Sequence, residues 1–139
     1  MDLNRLKKLS EKNYNCSQKV LVYFANDLGI DENLAVKIAT PFEMGMYNSE
    51  KCGALVAAYM VLGLKYGSTD FEARMNLAGK VFELDKVFKE KMSTKNCREL
   101  LGMKVLEADN MNKAAEAGLF ETICDKSVAV VIEALEKMI

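Results

Sequence analysis

The chain has 139 residues, half of them hydrophobic and 28% charged, with 19 basic against 20 acidic side chains and a net charge of −1. Such a length and composition suit one folded domain over residues 1–139 rather than a disordered chain. The balanced charge offers no positive field to nucleic acid, and the longest uncharged stretch, Cys52 to Leu64, is shorter than the about 20 apolar residues of a membrane span.

The N-terminal segment Met1 to Leu9 carries charge throughout and has no apolar run of the secretory kind. The expected compartment is therefore the cytoplasm, where thiols stay reduced. Histidine and tryptophan are absent. The missing histidine removes Ser-His and Cys-His catalytic pairs, zinc sites with imidazole ligands and His-ligated haem, so no haem is expected.

Helical periodicity runs through nearly the whole chain. An amphipathic helix is predicted over 2–12, with Leu3, Leu6 and Leu9 on one face. A second covers 15–28 and stops at Gly29. Asp31 caps a third that ends before Pro41, the one proline, and 42–48 reads as a loop. The least polar helix spans 50–66. Ser68-Thr69-Asp70 then caps a long helix reaching Met92, with a broad apolar stripe: Phe71, Met75, Ala78 and Phe82 beside Leu77, Val81, Leu84, Phe88 and Met92. Shorter helices follow at 97–101 and 108–117, and the last spans 123–138. No segment alternates like a strand. The expected fold is all-α, a single-domain bundle of about six to seven helices.

Four cysteines, Cys16, Cys52, Cys97 and Cys124, share one local setting. Asn15-Cys16-Ser17-Gln18 and Asn96-Cys97-Arg98-Glu99 read as capping boxes, and Thr122 to Asp125 as a third. Ser49 caps the turn that holds Cys52. Each cysteine is thus predicted in the first turn of a helix, where free N–H groups and the positive end of the dipole favour a thiolate. Lys51, Arg98 and Lys126 stand beside three of them and would add to this. The alternative is that the cysteines are small core hydrophobes.

The sequence gaps of 36, 45 and 27 residues contain no C-x-x-C pair, so no zinc ribbon or ferredoxin pattern fits. Helix starts can nevertheless meet at one end of a bundle. Four thiolates there would suit an iron–sulfur cluster or zinc, and two pairs would suit a dithiol–disulfide couple. After Cys52, the small residues Gly53, Ala54, Ala57 and Ala58 suit close helix packing or room for a cofactor. Met44 and Met46 around Gly45 could offer thioethers, though methionine more often fills gaps.

These residues resemble the redox-active family named for its C_GCAxxG_C_C signature, small helical proteins related to a region of split-Soret cytochromes. The resemblance rests on Asn15-Cys16-Ser17-Gln18, on Cys52-Gly53-Ala54-Leu55-Val56-Ala57-Ala58, on Met60 through Gly67, on Asn96 through Gly102, and on Cys124. Lys51 and Ala57 stand near positions where the family has glycine. The loop Phe42-Glu43-Met44-Gly45-Met46 is less glycine-rich than usual. The resemblance implies redox activity with a bound metal or iron–sulfur centre.

The expected function is redox chemistry by four cysteines ligating an iron–sulfur centre for electron transfer, with zinc second. Gln18, Gly53, Lys51 and Arg98 would surround the sulfurs. The alternatives are a metal-free thiol–disulfide or peroxide-type enzyme, with the four cysteines as its redox thiols, and a non-catalytic helical module. An unidentified redox partner and a homo-oligomer complete the expectations, without nucleic acid or membrane.

Overall fold

The computed structural model describes residues 1–139 and contains eight α-helices: α1 Leu3–Glu11, α2 Cys16–Ala25, α3 Glu32–Ala39, α4 Gly53–Tyr66, α5 Phe71–Met92, α6 Cys97–Leu101, α7 Asn110–Glu116 and α8 Asp125–Met138. The all-α expectation holds. The eight helices correspond one for one to the eight predicted segments, one more than the expected bundle count of six to seven. Local caps set most starts: Asp2, Asn15, Asp31, Asp70 and Asn96 each accept a hydrogen bond from the backbone amide three residues on.

The centre of the bundle is α4. Ala54, Leu55, Ala57, Ala58, Val61 and Leu62 are fully buried, and α2, α5 and α8 pack around them. The small residues after Cys52 therefore serve close helix approach. From α5 come Leu84 and Phe88, and from α8 Val131, Ile132 and Leu135, all with no exposed surface. Each such side chain contributes about 1.5–3 kcal/mol on burial. The broad stripe predicted on α5 divides. Its Leu84 and Phe88 side enters the core, while Phe71, Met75 and Phe82 face outward. No helix is long and apolar enough to cross a membrane.

Two connections depart from expectation. Residues 42–48 are not a plain loop. Met44, Gly45, Met46 and Tyr47 are four successive left-handed residues, closed by hydrogen bonds from Tyr47 N–H to Glu43 O and from Ser49 N–H to Met44 O. Leu119 through Cys124 are already helical and run straight into α8. A small second core of Cys97, Leu101 and Val105, with Met44, Met103 and Phe120 against it, closes the bundle end where α2, α4 and α8 begin.

Candidate functional site

Cys16 is the first residue of α2. Its position is fixed by a reciprocal capping box: Gln18 N–H donates to Asn15 Oδ1, and Asn15 N–H to Gln18 Oε1, both at 2.9 Å. The buried Ser17 hydroxyl donates to Ala39 O at 2.8 Å and ties this turn to the end of α3. Gln18 also donates to Val36 O and Thr40 Oγ1.

Cys52 and Cys97 are brought together by one antiparallel bridge, Lys51 with Asn96. Cys52 N–H donates to Lys95 O at 2.8 Å, and Cys97 N–H to Glu50 O at 2.6 Å. The bridge occupies the amides of both cysteines. Cys52 is itself the N-cap of α4 rather than a first-turn residue after a serine cap. Cys97 opens α6 behind the Asn96 cap.

Only the first predicted capping box closes: at α6 Asn96 accepts from Glu99 N–H, but its own amide donates to Thr94 Oγ1 rather than to Glu99, and the third box does not form at all. Cys124 has helical backbone angles inside a continuous helical path, α8 has no side-chain cap, and the Thr122 hydroxyl donates backward to Gly118 O at 2.8 Å. Its amide is therefore not at a free helix start.

All four cysteines line one cavity of about 440 Å³. All are free thiols. Gly53 lies against Cys16: a Cβ there would stand 3.0 Å from Cys16 Sγ and overlap Phe42 O. Met44, Lys19, Asp125 and Phe120 share the wall.

Burial reverses the expectation of low thiol pKa values. Desolvation pushes all four up, Cys97 to about 11 and Cys124 to about 12. Each of Cys16, Cys97 and Cys124 also feels Cys52, and Cys16 feels all three others, so one thiolate disfavours the next. The helix starts work in the opposite direction but lose. The Leu55 and Ala54 amides and the Ser127 hydroxyl pull Cys52 down, and the Ser17 amide pulls Cys16 down.

The expected neighbours are distributed unevenly. Gln18 and Gly53 line the cavity, while Lys51 and Arg98 do not. Lys51 turns outward, 4.9 Å over the Tyr59 ring, and donates to Tyr59 OH at 3.2 Å. The cation at the cavity is instead Lys19, largely buried, paired with Asp125 at 2.9 Å and lowering the Cys124 thiol. Its signal in the sequence was its spacing of three from Cys16, which puts both on one helix face. No three His, Cys, Asp or Glu side chains are arranged as donors to one metal ion.

The fold and cavity define a helical bundle with four thiols, Cys52 and Cys97 buried and Cys16 and Cys124 half-buried, gathered at one end. The chain belongs to the family described as "Putative redox-active protein (C_GCAxxG_C_C)", which matches residues 14–138 and so spans all four cysteines. No curated protein and no solved structure gives a match.

Proposed function

We propose that this is a redox protein in which Cys16, Cys52, Cys97 and Cys124 hold an iron–sulfur cluster that exchanges electrons with a partner protein. The observation carrying this reading is the meeting of four thiols from four separate chain segments in one cavity. The donor set is all sulfur, in a chain without histidine, which matches cluster ligation. Four thiols around one cavity would suit a polynuclear centre, whose ligand sulfurs bind different irons. When bound, such a cluster supplies one-electron chemistry. The chain's own groups would tune it: the Ala54, Leu55 and Ser17 amides and Lys19 place positive charge toward sulfur.

The bridge favours one second reading, a metal-free dithiol couple of Cys52 and Cys97. One experiment separates the two. Protein purified anaerobically should show visible charge-transfer absorbance with stoichiometric iron and acid-labile sulfide, and each single Cys→Ser variant should lose most of it. Colourless, metal-free protein that takes up no iron and sulfide under reducing reconstitution would sink the cluster. A Cys52–Cys97 disulfide formed reversibly in that protein would support the couple.

A further inference from the structure

We propose that residues 103–117 form a lid over the Cys97 and Cys124 side of the thiol cavity, opening about Gly102 and Gly118 while the main bundle stays folded. The motion follows from the chain alone. Only what the lid admits, iron and sulfide, rests on the redox reading above.

The segment is bonded to itself. Glu107 N–H and Asn110 Nδ2 both donate to Lys104 O, and Lys113 N–H donates to Asp109 O. Its ion pairs are Lys104 with Glu107 and Lys113 with Asp109. No hydrogen bond or ion pair runs from 103–117 to a residue before Gly102 or after Gly118. Helix α1 differs, because Arg5 donates both to Tyr23 O and to Asp27.

What holds the segment down is apolar and small. Val105 and Ala114 are its two buried side chains, and Val105 belongs to the second core with Cys97 and Leu101, apart from the main core. Met103 and Met111 are half-buried against that second core, as is Cys124, and Met111 also lines the cavity. A unit with few buried contacts and only internal hydrogen bonds opens at lower free energy than the bundle it rests on.

Both ends of the segment are joints. Gly102 and Gly118 have φ of 72° and 69°. A Cβ at Gly102 would meet nothing within 4 Å, and at Gly118 only the Glu121 carboxylate at 3.9 Å. Glycine therefore serves backbone conformation at these two places and not space. Such positions absorb the φ/ψ change of a hinge. The cysteines lie just outside them and stay with the bundle. Cys97 is held through its amide by Glu50 O, and Cys124 by the helical path into α8. Cys16 and Cys52 pack with the main core. Opening thus uncovers two thiols of the four.

Cysteine-resolved alkylation of the reduced, metal-free full chain with N-ethylmaleimide tests this. Gly102→Ala disfavours the left-handed joint of the closed lid by about tenfold. Cys97 and Cys124 should then alkylate about tenfold faster, with Cys16 and Cys52 unchanged. Val105→Ala weakens the lid without touching a joint. It should accelerate the same two cysteines, and it decides the matter if Gly102→Ala fails to fold. In the unaltered chain, the amides of α7 should exchange hydrogen faster than those of α4. Equal acceleration at all four cysteines, or at none, overturns the lid, and so do α7 amides that exchange as slowly as those of α4. Uptake of iron and sulfide is read separately and should be faster in Gly102→Ala. A chain that alkylates in the expected pattern but takes up no iron sinks the cluster and leaves the lid.

Discussion

Gly53 has no side chain because its space is already taken, by Phe42 O on one side and Cys16 Sγ on the other. An added methyl must push the Phe42 turn or the thiol. Gly53→Ala should therefore destabilise by about 1–3 kcal/mol, the usual cost of overpacking, and displace Cys16 from the cavity wall. Gly63 is the internal control. It lies in the same helix with nothing within 4 Å of a Cβ, so Gly63→Ala should be neutral or stabilising by up to about 1 kcal/mol. Urea midpoints of the two variants check both signs, and opposite signs are required. At this scale the sequence named Gly53, because it follows Cys52 in the motif, but not its reason. Cys16 is 37 residues away, and only tertiary packing puts the two in contact. Lys51 illustrates the converse. Its neighbour in sequence is Cys52, but along an extended segment successive side chains point to opposite sides. Lys51 therefore points away from the thiols while Cys52 faces them.

The element that joins the cysteines is the two-residue bridge, and it is held from behind by a polar chain. Lys51 donates to Tyr59 OH, Tyr59 OH to Asp85, and Lys95 pairs with Asp85 at 3.1 Å. Both bridging segments are thus tied through Asp85 on α5, which burial and this carboxylate together reinforce by keeping Tyr59 protonated. Asp85→Asn removes the charge that Lys95 needs in a half-buried place. It should cost about 1–2 kcal/mol. More tellingly, Cys52 and Cys97 should alkylate faster while Cys16 does not. Cysteine-resolved alkylation followed by mass spectrometry reads this, and equal acceleration at all four sites would refute a local role. None of this chain was legible beforehand, since helix periodicity says nothing of a bridge between two loops. The turn before it was equally hidden. Four left-handed residues cost about 1–2 kcal/mol each outside glycine, and Met-Gly-Met-Tyr contains one residue that favours the conformation. The α2 and α6 caps were legible because an N-cap is local, though only at α2 does the reciprocal box close. The apparent box at Thr122 failed because helical structure already begins at Leu119, ahead of it.

At the scale of the whole molecule, helix starts and burial compete for the thiols. A dipole end favours thiolate, but closing the bundle around the cavity removes the water that would solvate four charges, and desolvation is the largest influence on each. Convergence was open to sequence reasoning, because caps mark where helices begin. Depth was not, because it depends on how α4, α8 and the α6 segment close over one another. The competition has a measurable sign. The folded, reduced, metal-free chain holds thiol protons up to about 11 at Cys97 and about 12 at Cys124, while the unfolded chain releases them near the ordinary 9.0. Between these values the folded state binds more protons. The stabilisation is complete below pH 9 and is lost as pH rises toward 11–12, at about 1.4 kcal/mol per pH unit for each proton by which the states differ. Urea unfolding under reductant should therefore show stability falling from pH 8.5 to pH 10.5, more steeply than in a variant with all four cysteines replaced by serine. Metal-loaded protein should behave oppositely below pH 9, gaining stability with pH, because ligation releases the protons that the empty cavity retains. A metal-free chain as alkali-resistant as its serine variant would mean the thiols are far more hydrated than the closed bundle allows.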